Sequence, residues 1–160
     1  NVLIENGILK NYMVDKLNGR RMNMTPTGSA RRESYKYAPS SRMTNTYILN
    51  GNSRFEDMIA SMDNGIYAKY LGGGSVNPAT GEFNFATQEA YLVKNGKIGA
   101  PIKGATLIGT GPEILNRIEM VSNNFDSGEG MCGSVSGSIP AGLGQPAIKV
   151  SEITVGGKEA

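Results

Sequence analysis

Hydrophobic and polar positions change their period along the chain, and the changes mark the elements. Val2-Leu3-Ile4-Glu5 and Ile8-Leu9-Lys10-Asn11-Tyr12 flank Asn6-Gly7. That dipeptide supplies the two positive φ angles of a type I′ turn, so the chain opens on a β-hairpin. Asp15 to Met22 fits a short helix, weakened by Gly19. Residues 25–42 have no period; they read as a long, polar, basic loop with Pro26, Gly28 and Pro39, of a length that is usually functional or poorly ordered. Thr44 to Leu49 is β-branched and aromatic, hence a strand, and Asn50-Gly51 ends it. Helical spacing follows in Phe55, Met58, Ile59 and Met62, a core-facing stripe. Ser53 and Glu56 form a capping box at its start, and Gly65 is placed to end it in the left-handed conformation.

Ile66 to Tyr70 reads as a strand leading into Gly72-Gly73-Gly74. The triple glycine lacks the Gly-Lys-Ser/Thr of a P-loop and instead fits a bulge or a close backbone approach. Asn77-Pro78-Ala79-Thr80-Gly81 is a turn, Glu82 to Ala86 alternates as a half-buried strand does, and Asn95-Gly96 joins Ala90–Val93 to Ile98 in a second hairpin. After a strand at Ala105–Ile108, Thr110 and Glu113 form a second capping box, with Pro112 near the helix start. Ile114, Leu115, Ile118 and Val121 are the expected buried stripe of that helix. Asn123 to Gly144 reads as a loop rich in Gly, Ser and Pro, and Ala147–Val150 and Ile153–Val155 as short closing strands. Tight turns between eight or nine strands favour antiparallel pairing. The expected class is α+β, predominantly antiparallel sheet or a partly closed barrel with two to three packed helices, in a single domain over residues 1–160.

Composition supports a globular chain of one sizeable core: 160 residues, 39% hydrophobic and 19% charged. No apolar run approaches the ~20 residues needed to span a bilayer, and no secretory signal pattern is visible. A cytoplasmic setting is expected, since one cysteine makes no internal disulfide. The sequence opens on Asn1 rather than Met, and a domain lacking its N-terminal part is expected. The net charge of +2 hides an asymmetry: Lys10, Lys16, Arg20, Arg21, Arg31, Arg32, Lys36 and Arg42 place half of the sixteen basic residues in the first quarter. These read first as a solvated surface and second as a patch for nucleic acid or an acidic partner. No helix-turn-helix, zinc-finger or aromatic stacking pattern accompanies them.

The chemistry centres on Gly130-Met131-Cys132-Gly133, which holds the single cysteine. Three readings stand open for Cys132: a small buried hydrophobe, a nucleophile or a metal ligand. The chain has no histidine, which excludes Ser-His or Cys-His catalysis by this chain alone.

Seven blocks occur in order: Arg42-Met43-Thr44-Asn45-Thr46; Gly65-Ile66-Tyr67; Gly72-Gly73-Gly74 with Val76 and Pro78-Ala79-Thr80-Gly81; Glu89-Ala90-Tyr91-Leu92; Lys103-Gly104-Ala105-Thr106-Leu107-Ile108-Gly109; Gly130-Met131-Cys132-Gly133; and Val155-Gly156-Gly157. Together they resemble the C-terminal part of the TldD/PmbA family, once labelled modulators of DNA gyrase, over nearly the whole chain. The resemblance is to the TldD type and implies a zinc metallopeptidase acting on extended, unfolded peptides. It implies that an upstream helix carries two His ligands and a Glu general base, and that Cys132 is the third ligand. A thiolate and two imidazoles leave a fourth position for water, which a carboxylate can deprotonate for attack on a peptide carbonyl. Without histidine the isolated chain is expected to hold no zinc and to be inactive, with no catalytic residue of its own. Ser40-Ser41 stands where the family pattern has a proline before Arg42.

Thr44, Asn45, Gly73 and Gly74 are candidates for lining a groove that takes a peptide as an added strand. The resemblance also implies assembly with a like or related family member, and neither a membrane nor a nucleic-acid partner. The competing class is a non-enzymatic binding or assembly module, interacting with gyrase or nucleic acid through the basic first quarter.

Overall fold

The computed structural model describes residues 1–77 and 79–157. Pro78 of the predicted turn and residues 158–160 of the expected domain lie outside the described residues. In chain order the elements are β1 (Ile4–Glu5), β2 (Ile8–Leu9), α1 (Lys16–Met22), β3 (Ala30–Arg31), β4 (Ser40–Ser41), β5 (Thr46–Tyr47), α2 (Phe55–Ala60), β6 (Asn64–Val76), β7 (Glu82–Lys94), β8 (Lys97–Ile102), β9 (Thr106–Thr110), α3 (Gly111–Asn116), β10 (Ile118–Val121), β11 (Asp126–Ser134), β12 (Gly137–Gln145), β13 (Ile148–Val150) and β14 (Thr154–Gly156). The class is α+β with mostly antiparallel sheet, and no sheet among the described residues closes into a barrel. The described residues divide into two compact units, one of residues 1–49 and 125–145, the other of residues 50–124 and 146–157.

The second unit is built on β7, whose alternation of Phe83 and Phe85 with polar neighbours suits a pleated strand. β7 pairs along its length with β6, by its first half with β9 and by its second half with β8. Asn95 and Gly96, both at positive φ, make the predicted tight turn between β7 and β8. Met58 and Ile59 of α2 are buried, as are Ala90 and Val93 of β7 and Ala105. Burying a side chain the size of Met58 is worth about 1.5–3 kcal/mol. The register of β6 on β7 slips between Leu71 and Gly74, so the triple glycine is a bulge. At Gly74 a Cβ would overlap the Asn84 carbonyl and the Phe85 ring, which makes it the close approach.

Both helices of this unit are shorter than the periodicity predicts. Ser53 does not cap α2, because its backbone forms a parallel bridge to Ser122; Arg54 takes the N-cap position. The helix closes at Ser61, whose hydroxyl donates to Met58 O at 2.7 Å. Gly65 therefore does not end it: Gly65 already pairs with Val93 inside β6. α3 starts at Thr110 with Pro112 in its first turn, as expected, but the Thr110 hydroxyl meets the Glu113 carboxylate (3.5 Å) rather than a backbone N–H. It ends at Asn116, so Ile118 and Val121 are strand residues of β10, paired with β13, and Leu115 is exposed. β-branched ends and a waiting ladder partner override a helical spacing that only four residues defined.

In the first unit Asn6 and Gly7, at φ 51° and 76°, form the predicted β1–β2 turn. α1 is capped by Asp15, whose carboxylate accepts from Asn18 N at 2.7 Å. The expected 25–42 loop contains the short β3–β4 ladder, in which Arg31 faces Ser40. The predicted strand from Thr44 to Leu49 is reduced to β5, added parallel to β12. The largest difference is at 123–144. The expected loop is instead a β-hairpin in which β11 and β12 pair over nine positions, from Asp126 with Gln145 to Ser134 with Gly137. Gly is unfavourable in strands, but a ladder without register shifts and a two-residue turn at Val135-Ser136 suffice here.

Candidate functional site

Cys132 lies on β11 opposite Ile139. Burial alternates along the strand, so Gly130, Cys132 and Ser134 face the unit's interior while Met131 and Gly133 are exposed. β11 is also an edge strand, in the order β11-β12-β5.

Two arginines from the segment read as a solvated basic loop converge on the sulfur. Arg31 is 6% exposed; its Nη2 donates to Cys132 Sγ at 3.1 Å and its Nη1 to Gly137 O at 3.2 Å. Arg42 Nη2 donates to Gly133 O at 3.0 Å and reaches Sγ at 3.6 Å. The surface reading therefore fails for Arg31. Among the described residues neither guanidinium has a carboxylate within ion-pair distance, and both Nε atoms are buried without a partner. Sγ is the one atom hydrogen-bonded to the Arg31 fork that can carry negative charge.

A hydroxyl and carboxylate network fixes the hairpin tip against the same segment. Ser136 is fully buried; Ser40 Oγ donates to its hydroxyl at 2.8 Å, and Ser134 Oγ lies 2.7 Å from it. Glu33 N donates to Ser136 O, and Glu33 Oε2 accepts from Ser138 N at 2.7 Å. Gly137 has φ 84°, and a Cβ there would overlap Glu33, so only glycine brings the tip this close. Arg31, Arg42, Glu33 and Ser136 were not singled out by the sequence for this role. They fall in stretches without period, and the adjacency of Arg31-Arg32 and Ser40-Ser41 gives no hint of which member turns inward.

Thr44 and Asn45 sit in the bend before β5, both exposed. Asn45 Oδ1 accepts from Gly142 N at 2.8 Å, standing in for a ladder carbonyl on β12. Gly73 and Gly74 belong to the other unit, in the β6 bulge, with open space where a Gly73 side chain would be. That unit has its own polar cluster. Glu89 Oε1 accepts from Lys69 Nζ at 2.9 Å and from the Tyr91 hydroxyl at 2.6 Å. The Lys69 bond first, then the Tyr91 bond, holds the Glu89 carboxyl below its ordinary value, and the same contacts push Lys69 and Tyr91 up. Tyr67 is raised chiefly by burial.

The fit to zinc can be tested on the donor set. A cysteine sulfur accepting two N–H donors keeps a lone pair for a metal, and N–H···S bonds are compatible with ligation. Cys132 therefore fits one soft ligand position of a tetrahedral site. Among the described residues no three of His, Cys, Asp or Glu gather to hold an ion, so Cys132 is a single donor there and not a complete ligand set. No helix among the described residues is long and apolar enough to cross a membrane.

Comparison with known proteins supplies the context. Residues 1–157 match the family described as PmbA/TldA metallopeptidase C-terminal domain. The chain is 55% identical over 159 residues to a metalloprotease TldD homolog of Haemophilus influenzae, covering 98% of this chain and 33% of that protein. It is 36% identical over 155 residues to a zinc metalloprotease TldD homolog of Saccharolobus solfataricus, covering 97% of this chain and 35% of that protein. The chain thus spans about a third of the length of the curated relatives it matches. In fold it resembles TldE from Thermococcus kodakarensis, with TM-score 0.75 and 24% identity over 98% of this chain and 34% of that one. It likewise resembles a Thermotoga maritima protein described as a modulator of a DNA gyrase, with TM-score 0.76 and 23% identity over 96% of this chain and 32% of that one.

Proposed function

The chain belongs to the PmbA/TldA metallopeptidase family, as its C-terminal domain, and from that premise we propose that it supplies Cys132 as one ligand of a zinc ion in a peptidase that cleaves extended, unfolded peptides. The S. solfataricus relative is named a zinc metalloprotease, and the H. influenzae one a metalloprotease. When bound, zinc supplies Lewis acidity toward water and the peptide carbonyl. The other ligands and the general base come from the remainder of the full-length protein, and the isolated chain is inactive.

The observation that carries this reading is the place of Cys132 on an edge strand. The free side of β11 offers backbone donors and acceptors to an extended chain, which a peptide can pair with irrespective of its side chains. Recognition through backbone selects for unfolded substrates, because a folded protein has few unpaired strands to offer. Thr44 and Asn45 are the accompanying peptide-facing segment of this unit. Gly73 and Gly74, on the β6 edge, offer a second such surface within their own unit.

Assembly with a second family member is part of the proposal. Its support is the exposure of the large apolar residues Tyr35, Met131 and Val135 of the Cys132 unit. Sedimentation of the full-length protein as a strict monomer would count against assembly.

The test of the enzymatic reading is cleavage of an unstructured reporter peptide by the full-length protein. Activity is expected to vanish with a chelator and in Cys132→Ser. Cleavage that survives both sinks the proposal.

A further inference from the structure

The arginine pair around Cys132 has a cost that its local contacts do not explain. A guanidinium buried like that of Arg31 loses hydration worth several kcal/mol unless charge or hydrogen bonds replace it. The bonds available are one backbone carbonyl and one sulfur, and its Nε has no partner. Apolar packing alone would be served as well by Met or Leu. What the fork adds is a fixed geometry: its planar donors bind Gly137 O on β12 and Sγ on β11 at the same time. The side chain of Cys132 is thereby tied to the opposite strand and loses its freedom to rotate.

We infer that Arg31 is a positioning residue for Cys132: it holds Sγ in one orientation and keeps a charge-assisted N–H···S bond to it, with Arg42 a weaker second donor. The inference rests on the reading of Cys132 as a metal ligand, and extends it to the group that aims the ligand. Outer partners of this kind orient a metal's ligands and tune their donor strength. Arg31 reaches Sγ at 3.1 Å from a buried position, whereas Arg42 stands at 3.6 Å and makes its shorter bond to Gly133 O. Arg31 is thus the principal donor.

The experiment uses the full-length protein, as prepared and with cobalt substituted for zinc. A sulfur-to-cobalt charge-transfer band is expected in the wild type and lost in Cys132→Ser. Arg31→Met removes the donor, raises the energy of the sulfur lone pairs and moves the band to lower energy. Zinc retention against a chromophoric chelator should fall by about 10–100-fold in the same variant, the range typical of lost outer partners. Arg42→Met should shift both readouts in the same direction by less. Arg31→Lys keeps the charge but replaces two nitrogens, one on Gly137 O and one on Sγ, by a single nitrogen, so its band should lie between those of wild type and Arg31→Met.

An unshifted band and unchanged zinc retention in Arg31→Met overturn the positioning role while leaving Cys132 as a ligand. A wild-type protein without the band, or a band that survives Cys132→Ser, overturns the ligand reading itself. If Arg31→Met does not fold, Arg31→Gln, which removes the charge and the fork but keeps a polar head, decides instead, and a band at the wild-type energy with unchanged zinc retention overturns the role.

Discussion

The two units of the chain differ in the balance of what they bury. The unit built on β7 closes over Met58, Ile59, Ala90 and Val93, with Ser122 as its buried polar residue among those described. The unit carrying Cys132 closes over Asp15, Arg31 and Ser136, with Val14 and Ala141 as its buried apolar residues among those described. It also leaves many large apolar residues outside, among them Val2, Ile4, Ile8, Leu9, Tyr35, Met131 and Val135, while the β7 unit exposes fewer, such as Leu71 and Leu115. Apolar burial is non-directional and supplies stability. A hydrogen-bonded polar interior supplies less stability and more geometry, because each hydrogen bond fixes both distance and angle. One unit is therefore a scaffold, and the other holds a particular sulfur in a particular place.

If that contrast is right, the largest loss of stability follows from cutting the apolar core. Met58→Ala should destabilise by about 2–5 kcal/mol, the usual range for a buried large-to-small change. Urea unfolding of the full-length protein, followed in the β7 unit by hydrogen exchange, measures it. A loss no larger than that of a surface substitution breaks the comparison on its apolar side. Arg31→Met comes next, at about 1–3 kcal/mol, because it leaves Gly137 O without its donor while relieving a buried charge. The two terms oppose each other, so the loss should be smaller than at Met58 even though Arg31 is as deeply buried. A greater loss at Arg31 than at Met58 would mean that the polar unit carries the stability after all.

The same contrast explains what could be read from the sequence. Period-based signals found what apolar burial organises: the stripe at Met58 and Ile59, the alternation from Phe83, and the Asn95-Gly96 hairpin. They found the Asn6-Gly7 turn because turn chemistry is local, and a helix from Asp15, which turns out to be its cap and not its first residue. They failed on β11 and β12, where Gly, Ser and Pro carry no hydrophobic period and the ladder rests on backbone bonds that leave no trace in the side-chain pattern. The end of α3 failed for a related reason, since Ile118 to Val121 satisfies both periods and only the presence of β13 decides. Of the site, Cys132 was legible through its family block. Arg31 and Arg42 were not, because burial of a cation by a partner about a hundred residues away leaves no local trace.

A smaller effect tests whether the polar unit depends on individual bonds. Asp15 is buried, caps α1, and its N–H donates to Ser41 Oγ at 2.9 Å. Asp15→Ala should cost about 0.5–2 kcal/mol, the range for a lost N-cap. Asp15→Asn, which keeps an accepting oxygen, should recover most of it. Equal losses in the two variants would show that charge, not the hydrogen bond, is what Asp15 provides.

The smallest effect is electrostatic and belongs to the scaffold. Glu89 is held below its ordinary 4.5 by Lys69 and Tyr91, so the folded state binds its proton less readily than the unfolded chain does. Its contribution is complete above that ordinary value and fades as pH falls through the lowered folded value. Lys69 runs the other way: raised above 10.5 chiefly by the same bond, it contributes below that value and ceases to as pH rises through the raised one. Both groups are solvent-accessible, so screening keeps the effect small. The urea midpoint of wild type minus that of Glu89→Gln should therefore be constant near neutrality and shrink in acid. A difference that stays level through the carboxylate range would mean that Glu89 holds β6 to β7 by packing and not by charge. In that case the scaffold unit would have no measurable polar component at this position, and its contrast with the Cys132 unit would be sharper than its ion pair suggests.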